Sequence, residues 1–109
     1  MGKSDMRLLY YVMVEYYDCA FRTLKTRRRD VAEKKMMFAA VARKFGATYR
    51  AIADYMGWVC HATAIHAARR IGGYIDVYPV SRREFQTICE RFREELEYRE
   101  SVGMLLYRE

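Results

Sequence analysis

The side chains best suited to contact another molecule lie together in residues 48–71, TYRAIADYMGWVCHATAIHAARRI. The second half of this segment supplies imidazole, hydroxyl and guanidinium groups, carried by His61, Thr63, His66, Arg69 and Arg70. Such groups contact base edges and phosphates in proteins that bind nucleic acids. Apolar residues recur between them at helical spacing, namely Ala64, Ile65, Ala68 and Ile71. The pattern predicts a helix with one face toward a core and a polar face toward solvent.

The spacing around this helix is that of a helix-turn-helix. A short helix is predicted for residues 49–56, with Thr48 as its N-cap and Gly57 as its stop. After a four-residue gap the second helix begins at His61. In this motif the second helix enters the major groove of DNA.

The positive charge of the chain is concentrated just before and within the motif. Residues 22–50 contain ten Lys or Arg and two acidic residues, which gives 10 − 2 = +8. The remaining residues contain ten basic and twelve acidic side chains, which gives 10 − 12 = −2. A basic segment beside a groove-reading helix is typical of a DNA-binding protein. The alternative interpretation is a solvated basic helix face without a partner.

Three stretches of the sequence resemble one family. GWVCHATAIHAARRI is similar to the signature G-G-R-D-H-T-T-V-L-H-A-x-R-K-I of the C-terminal DNA-binding domain of the bacterial replication initiator DnaA. TYRAIADYMG fits that family's S-L-x-E-I-G-x-x-F-G without a gap, and RRRDVAEKKMMFAAVARKF resembles its basic loop and long helix. The resemblance covers residues 27–71. It implies that the chain binds double-stranded DNA, as a small replication or transcription regulator.

The resemblance also implies roles for individual residues of the second helix. The family histidine that reads bases matches His61, and residues that contact the DNA backbone or groove wall match Thr63 and His66. Ala62 stands where the family has threonine, so it offers only a methyl contact, and Cys60 stands where the family has aspartate. Because both exchanges remove base-reading groups, DNA binding is expected without the family's sequence preference.

Basic residues upstream are expected to contact the DNA backbone or minor groove: Arg27, Arg28, Arg29, Lys34, Lys35 and Arg50. In the family, an arginine of the basic loop enters the minor groove, and each of the three arginines here fits that role. The two lysines stand where the family has arginines. Lysine lacks the bidentate fork of arginine, so phosphate contact is expected from them.

The sequence does not predict an enzyme, a metal site or a cofactor. It contains no glycine-rich phosphate loop, so no nucleotide-hydrolysing part is expected. His61 and His66 are five residues apart, which places them about 140° apart around a helix. Cys60 and His61 are adjacent and point in different directions, and no Cys-x-x-Cys pair is present.

Length and composition predict one all-α domain, residues 1–109, built as a helix-turn-helix bundle of about five helices. Its parts are an N-terminal helix in residues 1–26, the DnaA-like core in residues 27–73 and a C-terminal helix in residues 81–100. No apolar run approaches the roughly 20 residues of a membrane span, and the N-terminus lacks the pattern of a signal peptide. Three widely spaced cysteines favour reduced thiols, so we expect a cytoplasmic protein without a membrane partner.

Local signals predict the ends of the first two helices. The first is expected at residues 5–24, capped by Asp5, although its apolar run LLYYVMV is also compatible with a buried strand. The second is expected at residues 30–45, with Asp30 as the cap and Glu33 at the capping-box position. Gly46 is expected to end it.

The later helix ends are predicted in the same way. Gly72 and Gly73 are expected to stop the second motif helix at Ile71, and residues 74–80 are expected to form a loop. Ser81 would cap the last helix, with Glu84 at the capping-box position. That helix carries one apolar stripe, formed by Phe85, Ile88, Cys89, Phe92 and Leu96, and fraying is expected beyond residue 101.

The N-terminal helix is additional to the family-like core. It is rich in tyrosine and methionine, so it either covers the core or forms a homodimer face. The alternative function is therefore a protein-interaction or dimerisation module on a helix-turn-helix scaffold with little DNA binding.

Overall fold

The structure, a computed structural model, describes the backbone of residues 1–106 and the side chains of residues 1–103. Its helices are α1 (Lys3–Tyr17), α2 (Arg29–Lys44), α3 (Tyr49–Met56), α4 (His61–Val77) and α5 (Pro79–Leu106). No strand occurs within the described backbone, so the prediction of an all-α bundle of about five helices is confirmed. The run LLYYVMV lies inside α1 and is not a strand.

The helices pack around a core centred on α2. Helix α2 contacts each of the other four helices and packs most extensively against α4, while α5 packs along α1 and α4. The largest fully buried side chains are Phe21, Phe38, Phe92, Leu9, Met13, Met37, Ile52, Ile88 and Val41. They come from every helix except α4 and from the segment after α1; α4 contributes Ala64, Ala67 and Ile71 to the core.

Helix α1 ends seven residues earlier than predicted. Asp18 adopts a left-handed conformation, with φ 52° and ψ 44°, and its backbone N–H donates to the Val14 carbonyl oxygen. Aspartate tolerates this conformation better than most residues. Phe21 is nonetheless fully buried, with its ring 5.2 Å from that of Tyr10 between centroids. Phe21, which was predicted to lie within the helix, therefore packs into the core from an irregular segment.

Two predicted N-caps occupy other positions. Asp5 lies in the first turn of α1, where a carboxylate oxygen (Oδ2) accepts a hydrogen bond from the Gly2 backbone N–H at 3.0 Å. Asp30 lies in the first turn of α2, because that helix begins one residue earlier, after Arg28. Carboxylates in a first turn interact favourably with the positive end of the helix dipole.

The local signals around α3 predicted its bounds correctly. The Thr48 hydroxyl oxygen accepts a hydrogen bond from the Ala51 backbone N–H at 3.1 Å, which confirms Thr48 as the N-cap. Gly46 and Gly57 have φ values of 96° and 76°, a conformation that glycine adopts without strain. These two glycines separate α2 from α3 and end α3, as predicted.

The prediction of a loop at residues 74–80, between α4 and α5, is wrong. Helix α4 continues through both glycines to Val77, and after one residue α5 begins at Pro79 instead of Ser81. Glycine disfavours a helix by about 1 kcal/mol per residue, but Tyr74 and Ile75 pack against the core and outweigh that penalty. Proline is tolerated in the first turn because its missing N–H has no partner there.

The last helix is longer than predicted. Helix α5 extends to Leu106, so the expected fraying does not begin at residue 101; residues 107–109 lie outside the described part. The apolar stripe is confirmed, with Ile88, Cys89 and Phe92 buried and Phe85 and Leu96 packed beside them. In the described part of the chain, no helix combines the length and apolar character needed to cross a membrane.

Candidate nucleic-acid interface

Helix α4 packs against the core through a short stripe of apolar residues. Ala64, Ala67 and Ile71 are buried, at the spacing i, i+3 and i+7. The predicted stripe had instead included Ile65 and Ala68, which are only half-buried, and had omitted Ala67. The core-facing stripe is therefore rotated relative to the prediction.

The predicted polar face of α4 is exposed to solvent. Exposed side chains are those of His61, Thr63, His66, Arg69 and Arg70, and that of Ala62 is half-buried. At about 100° per residue, Ala62, His66 and Arg69 form the row that lies opposite the buried stripe. His61 and Thr63 lie roughly 90–110° to either side of this outer row. They therefore face the two flanks of α4.

One flank of α4 meets the start of α2. The Arg70 guanidinium donates from Nε to the Tyr74 hydroxyl oxygen at 3.4 Å, and Arg29 lies beside the same hydroxyl. The hydrogen bond from Arg70, with help from Arg29, lowers the pKa of Tyr74. Arg29 also pairs with Glu33 at 3.0 Å between Nε and Oε1. We call Arg29, Arg70 and Tyr74 the first flank cluster.

The other flank of α4 meets the end of α2 and the start of α3. A groove of about 310 Å³ is lined there by Ala40, Arg43, Lys44, Tyr49, Ala68 and Arg69. None of these described residues is acidic. The Arg43 guanidinium carbon lies 4.4 Å from the Tyr49 ring centroid. We call Arg43 and Lys44 the second flank cluster; neither was among the predicted site residues.

The crossing of α2 beneath α4 explains why both flanks are basic. Arg29 is the first residue of α2 and Lys44 is the last. At 1.5 Å per residue these ends are roughly 22 Å apart, which exceeds the width of about 12 Å of the DNA major groove. One helix therefore places cations on both sides of the outer row of α4.

Two other predicted residues, Arg50 and His61, lie together at the N-terminal end of α4. Arg50 and His61 line a cavity of about 240 Å³ together with Asp54 and Cys60. Cys60 is the N-cap residue of α4, but its side chain makes no capping hydrogen bond, and its thiol is exposed. His61 and Arg50 therefore lie on the same side of α4 as the second flank cluster.

The structure separates the remaining predicted residues. Lys34 lies 3.9 Å from the Asp30 carboxylate and its side chain is only 20% exposed, so most of its surface is unavailable to a partner. Lys35 donates to the Leu24 carbonyl oxygen at 2.8 Å on a different side of α2. Arg28 pairs with Asp30 at 3.3 Å and remains largely exposed. Arg27 is exposed and makes no ion pair with any described residue.

Possible metal ligands do not cluster in the described part of the chain, where no three His, Cys, Asp or Glu side chains are arranged to hold an ion. Cys19, Cys60 and Cys89 are free thiols.

Comparisons with known proteins find no relative of this chain. No protein-family model, no curated protein and no solved structure matches the chain. The resemblance to the DnaA C-terminal domain, and the residue roles it implies, therefore stay predictions that depend on the motifs and on the surface of α4.

Proposed function

We propose that this chain binds double-stranded DNA by inserting the outer row of α4 into the major groove. The observation that carries the proposal is the presence of cations on both flanks of an exposed helix. The two sides of a major groove are lined by phosphates of the two strands. The first flank cluster would contact one strand, and the second flank cluster would contact the other.

The outer row of α4 suits close approach to the floor of the groove. Ala62 is small, and Arg69 carries hydrogen-bonding groups. His61, at the first turn of α4, is the residue we assign to reading bases, because N-terminal side chains of such helices reach base edges. Thr63 and His66 we assign to the backbone or groove wall.

The proposed specificity is modest. A well-placed bidentate base contact discriminates by about 1–3 kcal/mol. Cys60 and Ala62 offer neither a strong acceptor nor a strong donor at positions next to His61. Affinity should therefore come mainly from the two flank clusters, which contact phosphates of any sequence.

A charge introduced on the outer row tests the proposal. His66→Glu places a carboxylate where the groove would be, and we expect duplex affinity to fall at least about tenfold because phosphates repel it. Gln86→Glu on α5 adds the same charge at another exposed position and is the matched control. Fluorescence anisotropy with a labelled duplex measures both, with circular dichroism to check the fold. Equal affinities of the two variants would contradict the proposal.

A second candidate function is a protein-interaction or dimerisation module. It is favoured by an exposed apolar group at the junction of α4 and α5, where Val77, Tyr78 and Val80 are 68%, 55% and 76% exposed. On α1, Tyr11 is 61% exposed and would belong to a homodimer face. Sedimentation velocity over a range of protein concentrations tests self-association, and a monomer at all of them would remove the homodimer.

A further inference from the structure

A basic cavity lies beside the helix-turn-helix turn, away from the outer row of α4. It has a volume of about 330 Å³ and is lined by nine described residues, which include Arg22, Lys25, Lys35, Tyr55, Met56 and Trp58. Three of these nine described residues are cationic and none is acidic. The volume is at the lower end of the range for small-molecule sites. It therefore suits a ligand with a single ring system and a single anionic group.

Two of the cations are held in place by backbone carbonyl groups. The Lys35 ammonium donates to the Leu24 carbonyl oxygen at 2.8 Å. The Arg22 guanidinium donates from Nε to the Tyr55 carbonyl oxygen at 2.7 Å, and its central carbon lies 4.1 Å from the Tyr55 ring centroid. A carbonyl oxygen orients a cation without cancelling its charge. Both side chains are half-buried, so the uncancelled charges favour an anion in the cavity.

Unused donors remain on both side chains. A lysine ammonium has three N–H groups and an arginine guanidinium has five, of which the contacts above use one each. Lys25 adds a third, exposed cation at the rim. Charge-assisted hydrogen bonds from several N–H groups are the usual way in which proteins hold a phosphate.

The aromatic part of the cavity indicates what the anion is attached to. Trp58, the single tryptophan of the chain, is half-buried against the core and lines the cavity beside Met56 and Tyr55. Indole rings stack favourably with nucleobases, whichever base is present. The adjacent Leu24 side chain is 41% exposed and extends the apolar surface.

We propose that this cavity binds a nucleotide, with its phosphate on Lys35, Arg22 and Lys25 and its base against Trp58. The nucleotide is either free or the unpaired 5′ end of a nucleic-acid strand, since both present the same phosphate and base. This site does not depend on insertion of α4 into a groove. Loss of duplex binding would therefore leave it intact.

Fluorescence of Trp58 tests the site without a label. The full chain is titrated with adenosine 5′-monophosphate, with adenosine, with inorganic phosphate and with a short single-stranded oligoadenylate carrying a 5′-phosphate. We expect saturable quenching by the monophosphate, and affinities at least about tenfold weaker for adenosine and for phosphate. A free nucleotide as ligand predicts equal affinities for monophosphate and oligonucleotide. A strand end as ligand predicts tenfold tighter binding of the oligonucleotide.

Variants that remove single positive charges test which cations bind the phosphate. Lys35→Gln keeps an N–H donor for the Leu24 carbonyl oxygen and removes the charge, and we expect it to weaken monophosphate binding about tenfold. Lys25→Gln, at the exposed rim, should weaken it by a smaller factor. Lys3→Gln on α1 is the matched control and should bind as the parent chain does. Isothermal calorimetry of the same variants checks the fluorescence.

Three results would overturn the nucleotide site. The first is the absence of saturable quenching by both the monophosphate and the oligonucleotide at millimolar concentration. The second is equal binding of monophosphate and inorganic phosphate, which would indicate a site for any anion. The third is unchanged affinity of Lys35→Gln and Lys25→Gln, both folded by circular dichroism, which would mean that the quenching arises elsewhere.

Discussion

Removing two cations from either flank of α4 should lower the salt dependence of duplex binding by the same amount. The paired variants are Arg29→Gln with Arg70→Gln, and Arg43→Gln with Lys44→Gln. Each neutralised phosphate contributes about 0.9 to the slope of log affinity against log salt, so either pair should reduce the slope by about 1.8. If the other contacts are unchanged, affinity at about 0.1 M salt falls roughly 60-fold. All four side chains are exposed, so the fold should persist.

The assay is fluorescence anisotropy of a labelled duplex over a series of salt concentrations. The matched control is Lys3→Gln with Arg91→Gln, which removes two exposed cations from α1 and α5. We expect the control to leave the slope nearly unchanged. A reduced slope for only one flank pair would refute the arrangement in which α4 lies between two strands. Equal reductions for all three pairs would mean that net charge, and not the position of the cations, governs binding.

Three further variants test other parts of the account. His61→Ala should lose about 1–3 kcal/mol on a selected site and less on scrambled duplex, in paired titrations; equal losses would make His61 a positioning contact. Thr48→Ala removes the cap of α3 and should lower the free energy of unfolding by about 1 kcal/mol in urea, whereas no change would mean that the cap is not stabilising. Burial, with the hydrogen bond to Glu84, raises the pKa of Tyr17. The pKa of Tyr17 is therefore higher in the folded than in the unfolded chain. Its contribution to the free energy of unfolding is fully present below pH ~10 and is lost as the pH rises above that value. Tyr17→Phe should show a shallower loss of stability above pH ~10 in alkaline unfolding, and identical pH profiles would contradict this.

Helix ends were predictable from the sequence where local signals acted alone. Thr48 and Gly57 define α3 through a side-chain cap and a left-handed glycine, and both effects need only neighbouring residues. Gly72 and Gly73 led to a wrong prediction for the end of α4. The cost of glycine in a helix is a local effect, whereas the packing of Tyr74 that outweighs it involves residues distant in the sequence. The early end of α1 at Asp18 left no comparable sequence signal.

The candidate interface was predictable in a similar, partial way. Helical periodicity was enough to predict that His61, His66 and Arg69 are exposed on one helix. It could not predict that α2 crosses beneath α4, and that crossing brings Arg43 and Lys44 to one flank. The motif alignment also predicted phosphate contact for both Lys34 and Lys35. In the structure, Lys34 lies beside Asp30, whereas Lys35 donates to the Leu24 carbonyl oxygen on a different side of α2.

The salt dependence of duplex binding by the unmodified chain is the sharpest test of DNA binding by α4. The measurement is the affinity for a mixed-sequence duplex from low to moderate salt. Contacts to about five to eight phosphates predict a slope of about −4.5 to −7 in log affinity against log salt. No duplex affinity at any salt concentration, or a slope near zero, would contradict DNA binding by α4 and its two flank clusters.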